Sequence, residues 1–210
     1  EFKDAVRLGR TCMQDAVPMT FGQVFGGYHA MMQRNRRRLE ALRPEYQEAI
    51  LGATVLGTGI GQMPGYNEAV FENLSRVVGF PMHRAKMDGE VIEDSALFDG
   101  SANNDGLMIL TSVLKALACA GGKIGNDFYI FSSGPRTGIG ELILPSIAPG
   151  SSIMPGKLNP YMPELLLQIM QQVMSHDHVA TLTINESELD LWSSTCASFM
   201  GAMESLELIE

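Results

Sequence analysis

"NNDGLMILTSVLKALACAGGKIGNDFYIF", residues 103–131, decides the fold. The stretch is nearly free of charge, and its apolar residues cover almost every face of a helix, which predicts a helix buried on all sides. Lys115 interrupts the most apolar part (106–122), leaving no run of about twenty apolar residues to cross a membrane. Upstream, Val24, Phe25, Tyr28, Met31, Met32, Leu39 and Leu42 recur at helical spacing over 22–42 until Pro44 interrupts, with the helix expected to resume over 45–52. A glycine-rich link over 52–66 gives way to a short helix over 67–80, with Asn67 as its N-cap and Gly79 as its stop. Downstream lie a loop over 132–162 and two further helices, about 163–182 and 188–208. No repeat or low-complexity linker divides the chain. Helices this apolar bury one another in a bundle or against a partner subunit, so the expected fold class is all-α and oligomeric.

Bulk properties narrow the function. The 210 residues carry a net charge of −9, and 45% are apolar. That composition belongs to a folded chain and excludes a nucleic-acid surface as its main business. The one basic run, "QRNRRRLEALR" at 33–43, reads as a solvated or subunit-facing helix side. Cys12, Cys119 and Cys196 are too few and too far apart for a disulfide framework or a zinc site, and read as reduced thiols of a cytoplasmic protein. The fourteen methionines read as core filler. The opening "EFKDAVRLGRT" shows no signal-peptide pattern and begins at Glu1 rather than methionine, as a fragment or trimmed chain would.

Chemistry concentrates in two stretches. In "GSSIMPGKLNP" (150–160), Ser151 and Ser152 supply hydroxyls, Lys157 a point charge and Asn159 a neutral donor, a set suited to a carboxylate or to a carbanion delocalised onto one. An unassisted serine is a poor base and acts as an alkoxide only where a cation and oriented donors stabilise the anion. A plain surface loop accounts for the same residues equally well. In "GRTCMQDAVPMTFGQ" (9–23), Arg10, Thr11, Gln14, Asp15, Thr20 and Gln23 place polar groups ahead of a long helix, serving an anion or merely capping. Other candidates are weaker. "HDH" at 176–178 reads as a solvated helix face rather than a metal site, His29 and His83 as ordinary histidines, and Glu90, Glu93, Asp94 and Asp99 as a charged helical face. "GTGIG" at 57–61 lacks the strand–turn–helix context of a dinucleotide loop.

The two stretches resemble the signatures of the fumarase/aspartase superfamily, G-S-x-x-M-P-x-K-x-N and G-R-T-H-x-Q-D-A-x-P. "LGATVLGTGIG" and "SSGPRTGIGELILP" are similar to further stretches of its aspartase and class II fumarase branch. The resemblance covers Arg7 to about Leu191. It implies a central domain of long helices over 1–210, with the signature loop at 132–162, four subunits sharing one bundle, and an N-terminal and a small C-terminal domain lying outside these residues. It implies elimination of an amine or hydroxide from a small dicarboxylate or amino acid to give fumarate, with no organic cofactor and no metal in the site. Carried over, Ser151 is the general base, Lys157, Asn159 and Ser152 hold the substrate, Thr11 and Cys12 contact it, Gln14 supports, and Glu164 matches the acid that pairs with the family's signature histidine. Cys12 stands where the family has a histidine, and a thiol is a weak donor. Trp192 stands where the family commonly has asparagine. Aspartate ammonia-lyase is the favoured expectation, with fumarase or another fumarate-releasing lyase as one alternative and a non-catalytic bundle fragment as the other.

Overall fold

A computed structural model describes residues 2–87, 89, 92–193 and 195–210. Six α-helices among the described residues carry the fold: α1 Phe21–Ala41, α2 Tyr66–Val78, α3 Ser95–Ala102, α4 Asp105–Phe131, α5 Tyr161–Asn185 and α6 Cys196–Ile209. The long-helix expectation stands, and the boundaries of α1, α4 and α5 lie within a few residues of those expected.

The chain forms two compact units, residues 1–37 with 115–174 and residues 38–114 with 175–210. In the first, α4 and α5 approach through a glycine face. A Cβ on Gly121 would stand 2.7 Å from Met170 Sδ, so a larger residue there would push the Met170 side chain aside. Phe21, Phe25, Tyr28, Phe128 and Phe131 form a run of ring contacts between α1 and α4, with centroids 5.7–6.5 Å apart. In the second unit, Leu107 of α4, Trp192 and Ala202 of α6 form the core, with Leu110 and Ile184 packed on it. Asp177 is buried there and accepts hydrogen bonds from Thr111 (3.1 Å) and Ser112 (2.9 Å).

Burial along α4 follows one stripe rather than all faces. Leu107, Thr111, Leu114, Ala118 and Gly121 are buried at spacings of three and four, while Ile109, Cys119 and Tyr129 are exposed. A single chain supplies neighbours for one side of an all-round apolar helix, which is why the expected burial is incomplete. By length and composition α4 is also apolar enough to cross a membrane, with a mean hydropathy of 1.6 over eighteen residues. Lys115 does not break that run as expected. The core helices of helical proteins share this composition.

Residues 45–52 do not resume the helix. Pro44 is followed by one 3-10 turn, Glu45–Gln47, after which Glu48 is extended. The short strand β3 (Glu48–Ala49) then pairs in parallel with His83–Arg84. Tyr46 Oη donates to Gly106 O at 2.5 Å, fixing this turn to the start of α4. Gly65, not Asn67, caps α2, because the Asn67 side chain is engaged with Gln62. Gly79 ends the helix in the left-handed conformation, as expected. Glu93 and Asp94 precede α3 instead of sharing a helical face with Asp99, and Asp94 pairs with Arg84 at 2.8 Å. Glu90 lies outside the described residues. Gly57 of "GTGIG" lies against α3, where a Cβ would meet Phe98 N at 2.7 Å.

Candidate active site

The second signature stretch is a β-hairpin, not a polar lead into a helix. Strand β1 (Val6–Thr11) pairs antiparallel with β2 (Gln14–Thr20), with Arg10 opposite Asp15 and Thr11 opposite Gln14. Cys12 and Met13 form the two-residue turn, both with positive φ (52° and 63°), the conformation whose twist suits a tight hairpin. Thr11, Cys12 and Gln14 are therefore exposed at a hairpin tip. Thr20 and Gln23 take the capping role weighed above. Gln23 N–H donates to Thr20 Oγ1 (3.2 Å), and Thr20 N–H donates to Gln23 Oε1 (2.9 Å), closing a capping box on α1.

The hairpin is anchored from below. Glu141 takes Arg7 Nε on one carboxylate oxygen (3.0 Å) and Arg10 on the other (2.7 Å), with the Arg7 side chain only 7% exposed. Arg7 also lies over the Phe131 and Phe21 rings, 4.4 and 5.3 Å from their centroids. Burial pushes the Glu141 carboxyl up, but hydrogen bonds and charge from Arg10 and Arg7 outweigh it and hold the group below the ordinary glutamate range. Beside the tip runs a groove of about 700 Å³ whose lining includes Arg7, Arg10, Arg34 and Lys123 against the single carboxylate of Asp127. Tyr28 Oη and Lys123 Nζ both bond Asp127 there. Burial first, then the Asp127 acceptor, raises the Tyr28 phenol well above its ordinary range.

Ser151, Ser152, Lys157 and Asn159 are brought together on one closed loop. Gly150 N–H donates to Lys157 O at 2.9 Å, and Asn159 Nδ2 donates to Gly150 O at 3.1 Å. A Cβ on Gly150 would fall 2.5 Å from Lys157 O, so the neck closes only around glycine. Ile153 N–H points at Ser151 Oγ (3.3 Å), one oriented donor for a negative charge developing there. Ser152 and Lys157 are exposed, and Ser151 and Asn159 half-buried. Glu164 stands in the first turn of α5, where a carboxylate complements the helix dipole. Among the described residues, no hydrogen bond or ion pair joins this loop to the hairpin tip.

Two expectations change character. Trp192 belongs to the core, 6% exposed, its indole N–H donating to Thr183 O at 3.2 Å. His176 is not on a solvated face: its Nδ1 meets Ser205 Oγ at 2.8 Å in the packing of α5 on α6, while His178 is exposed. His29 is exposed, and His83 lies in the short β-pair. Glu141 and Tyr161 went unnoticed in the sequence reading. Glu141 had a signal, being the only acid between residues 132 and 163.

The fold defines a mainly helical protein with two separate polar elements, one carrying a serine, an amide and a lysine on a single closed loop. A lyase family model matches residues 1–175. A class II fumarate hydratase from Ralstonia nicotianae is 40% identical over 177 residues, covering 84% of this chain and 36% of the relative. An aspartate ammonia-lyase from Bacillus subtilis is 37% identical over 191 residues, covering 91% and 38%. The crystal structure of a fumarate lyase:delta crystallin from Brucella melitensis bound to cobalt superposes with a TM-score of 0.89 at 33% identity, covering 99% of this chain and 43% of that one. The chain belongs to the fumarase/aspartase superfamily of lyases. It spans about two fifths of the length of the curated relatives it matches.

Proposed function

We propose that the protein containing this chain eliminates ammonia from L-aspartate, or a close relative, to give fumarate. The observation that carries this reading is the closed loop at 150–159, which holds Ser151, Lys157 and Asn159 within one hydrogen-bonded unit. Ser151 takes the proton from the carbon beside one carboxylate. The Ile153 N–H favours the serine's anionic form, and Lys157 and Asn159 bind the carboxylate onto which charge moves. Among the described residues, the loop and the hairpin tip share no hydrogen bond or ion pair. In the proposed enzyme, a cytoplasmic homotetramer, the site is completed between subunits, with Thr11, Cys12 and Gln14 reaching a neighbour's loop.

A fumarase reading has its own support in the 40% identity to a fumarate hydratase. Cys12 weighs toward ammonia release, because water chemistry asks more of an imidazole than carboxylate binding does. It equally supports a non-catalytic assembly core. Following fumarate absorbance with the full-length protein, offered L-aspartate and L-malate separately, separates the two lyases. Turnover of aspartate that falls about 10²–10⁴-fold in Ser151→Ala supports the proposal. Turnover of malate alone gives the fumarase, and silence with both from a folded protein leaves a lyase acting on another substituted succinate or the assembly core.

A further inference from the structure

The signature loop is held shut by a residue outside it. Tyr161 opens α5, and its Oη donates to Pro149 O at 2.7 Å, across the neck from the bond between Gly150 and Lys157. Tyr161 N–H donates to Asn159 O at 2.9 Å, and Asn159 Nδ2 donates to Gly150 O. Three rungs thus tie the entering strand of the loop, Pro149–Gly150, to its exit. Beyond them, residues 152–158 are all exposed, with Ile153 at 84% and Leu158 at 60%.

We propose that Tyr161 is a positioning residue: its hydroxyl locks the neck so that Ser151 and Lys157 travel as one rigid piece when the loop meets substrate. Without the lowest rung, the neck is held by two bonds, both involving Gly150, and the loop breathes open on its own. Chemistry that depends on a fixed spacing between serine and lysine is sensitive to such breathing, whereas simple encounter with the substrate is not. The catalytic consequence rests on the elimination reading above; the mechanical one does not.

Limited trypsin digestion of the full-length protein tests the mechanics, because Lys157–Leu158 lies at the loop end and Arg136–Thr137 lies in the neighbouring exposed turn. That turn is closed separately, by Ser133 Oγ accepting from Ile139 N–H and Ser133 O accepting from Gly140 N–H, and so serves as an internal control. Tyr161→Phe removes one oxygen and keeps the ring. Cleavage after Lys157 should rise about five-fold, the population change that one hydrogen bond of ordinary net strength produces, while cleavage after Arg136 stays the same. Equal rates at Lys157 in both proteins would overturn the lock. In the activity assay, kcat should fall about five-fold with KM unchanged, and the thermal midpoint should hold. An unchanged kcat would overturn the positioning role. Absence of turnover in the unaltered protein sinks the proposed reaction instead, and the digestion still decides the lock.

Discussion

The hairpin at 6–20 and the loop at 150–159 both expose polar groups on the same structural unit, yet they are held in opposite ways. The hairpin is pinned from outside: Glu141, one hundred and thirty-four positions from Arg7, grips both arginines of β1, and two aromatic rings lie against Arg7. The loop is held by short-range bonds among residues 149–161. The first arrangement ties the tip to global stability, because its anchors are also core contacts. The second leaves the loop free to open locally without unfolding anything else. A platform and a moving part are the natural readings of that contrast.

The contrast is most directly broken at Glu141. Glu141→Leu leaves the nearly buried Arg7 without its partner and should cost about 3 kcal/mol of global stability by urea unfolding, with the loop's trypsin sensitivity unchanged below the transition. Acid should act on the same pair. The folded carboxyl titrates below its ordinary value of about 4.3, so its contribution is complete above that value and is lost as pH falls through the depressed range. The stability gap between the unaltered protein and the variant should therefore hold from neutral pH down to about 4.3 and close only as pH falls further, through the depressed range of the folded carboxyl. A gap that persists undiminished in acid would show that Glu141 acts through something other than its charge on the arginines.

At the loop, Gly150→Ala forces a methyl against Lys157 O. It should open the neck and speed cleavage after Lys157 about ten-fold, while costing the whole protein only about 1 kcal/mol. A loss matching that of Glu141→Leu would erase the distinction between platform and moving part. The smallest effect belongs to the hairpin tip. Cys12→Asn places a residue tolerant of positive φ in the tight turn and should stabilise by about 0.5 kcal/mol, read as a small rise in the urea midpoint.

The sequence disclosed these regions unequally, for physical reasons. The first long helix was legible because burial against neighbours imposes spacings of three and four, which Val24, Phe25, Tyr28, Met31 and Met32 display, and α4 because its long run of apolar residues is almost without charge. The loop was legible because glycine, serine and proline cannot be arranged as "GSSIMPGKLNP" in a helix. The hairpin was hidden: "VRLGRT" and "QDAVPMT" do not alternate cleanly, Pro18 sits within β2, and the turn is Cys-Met where Asn-Gly would have announced it. Thr20 and Gln23 held the missed clue, since a capping box starts a helix at Phe21 and leaves everything before it to another structure. Burial around α4 was overstated because the spread of apolar residues says how much surface wants covering, not which molecule covers it. The signature residues of the candidate site were legible from their motif, whereas Glu141 and Tyr161 act through contacts that only folding creates.

The turn at Cys12–Met13 has a practical consequence. Its two residues point outward from a stalk whose registration is set by Arg7, Arg10 and Glu141 below, so position 12 behaves as an interchangeable head on a fixed handle. Exchanging the cysteine for histidine, asparagine or serine alters what the tip can donate while leaving the scaffold undisturbed. Under the elimination reading proposed above, the preferred substrate would be retuned by changing one residue at the end of an arm rather than by rebuilding a cavity.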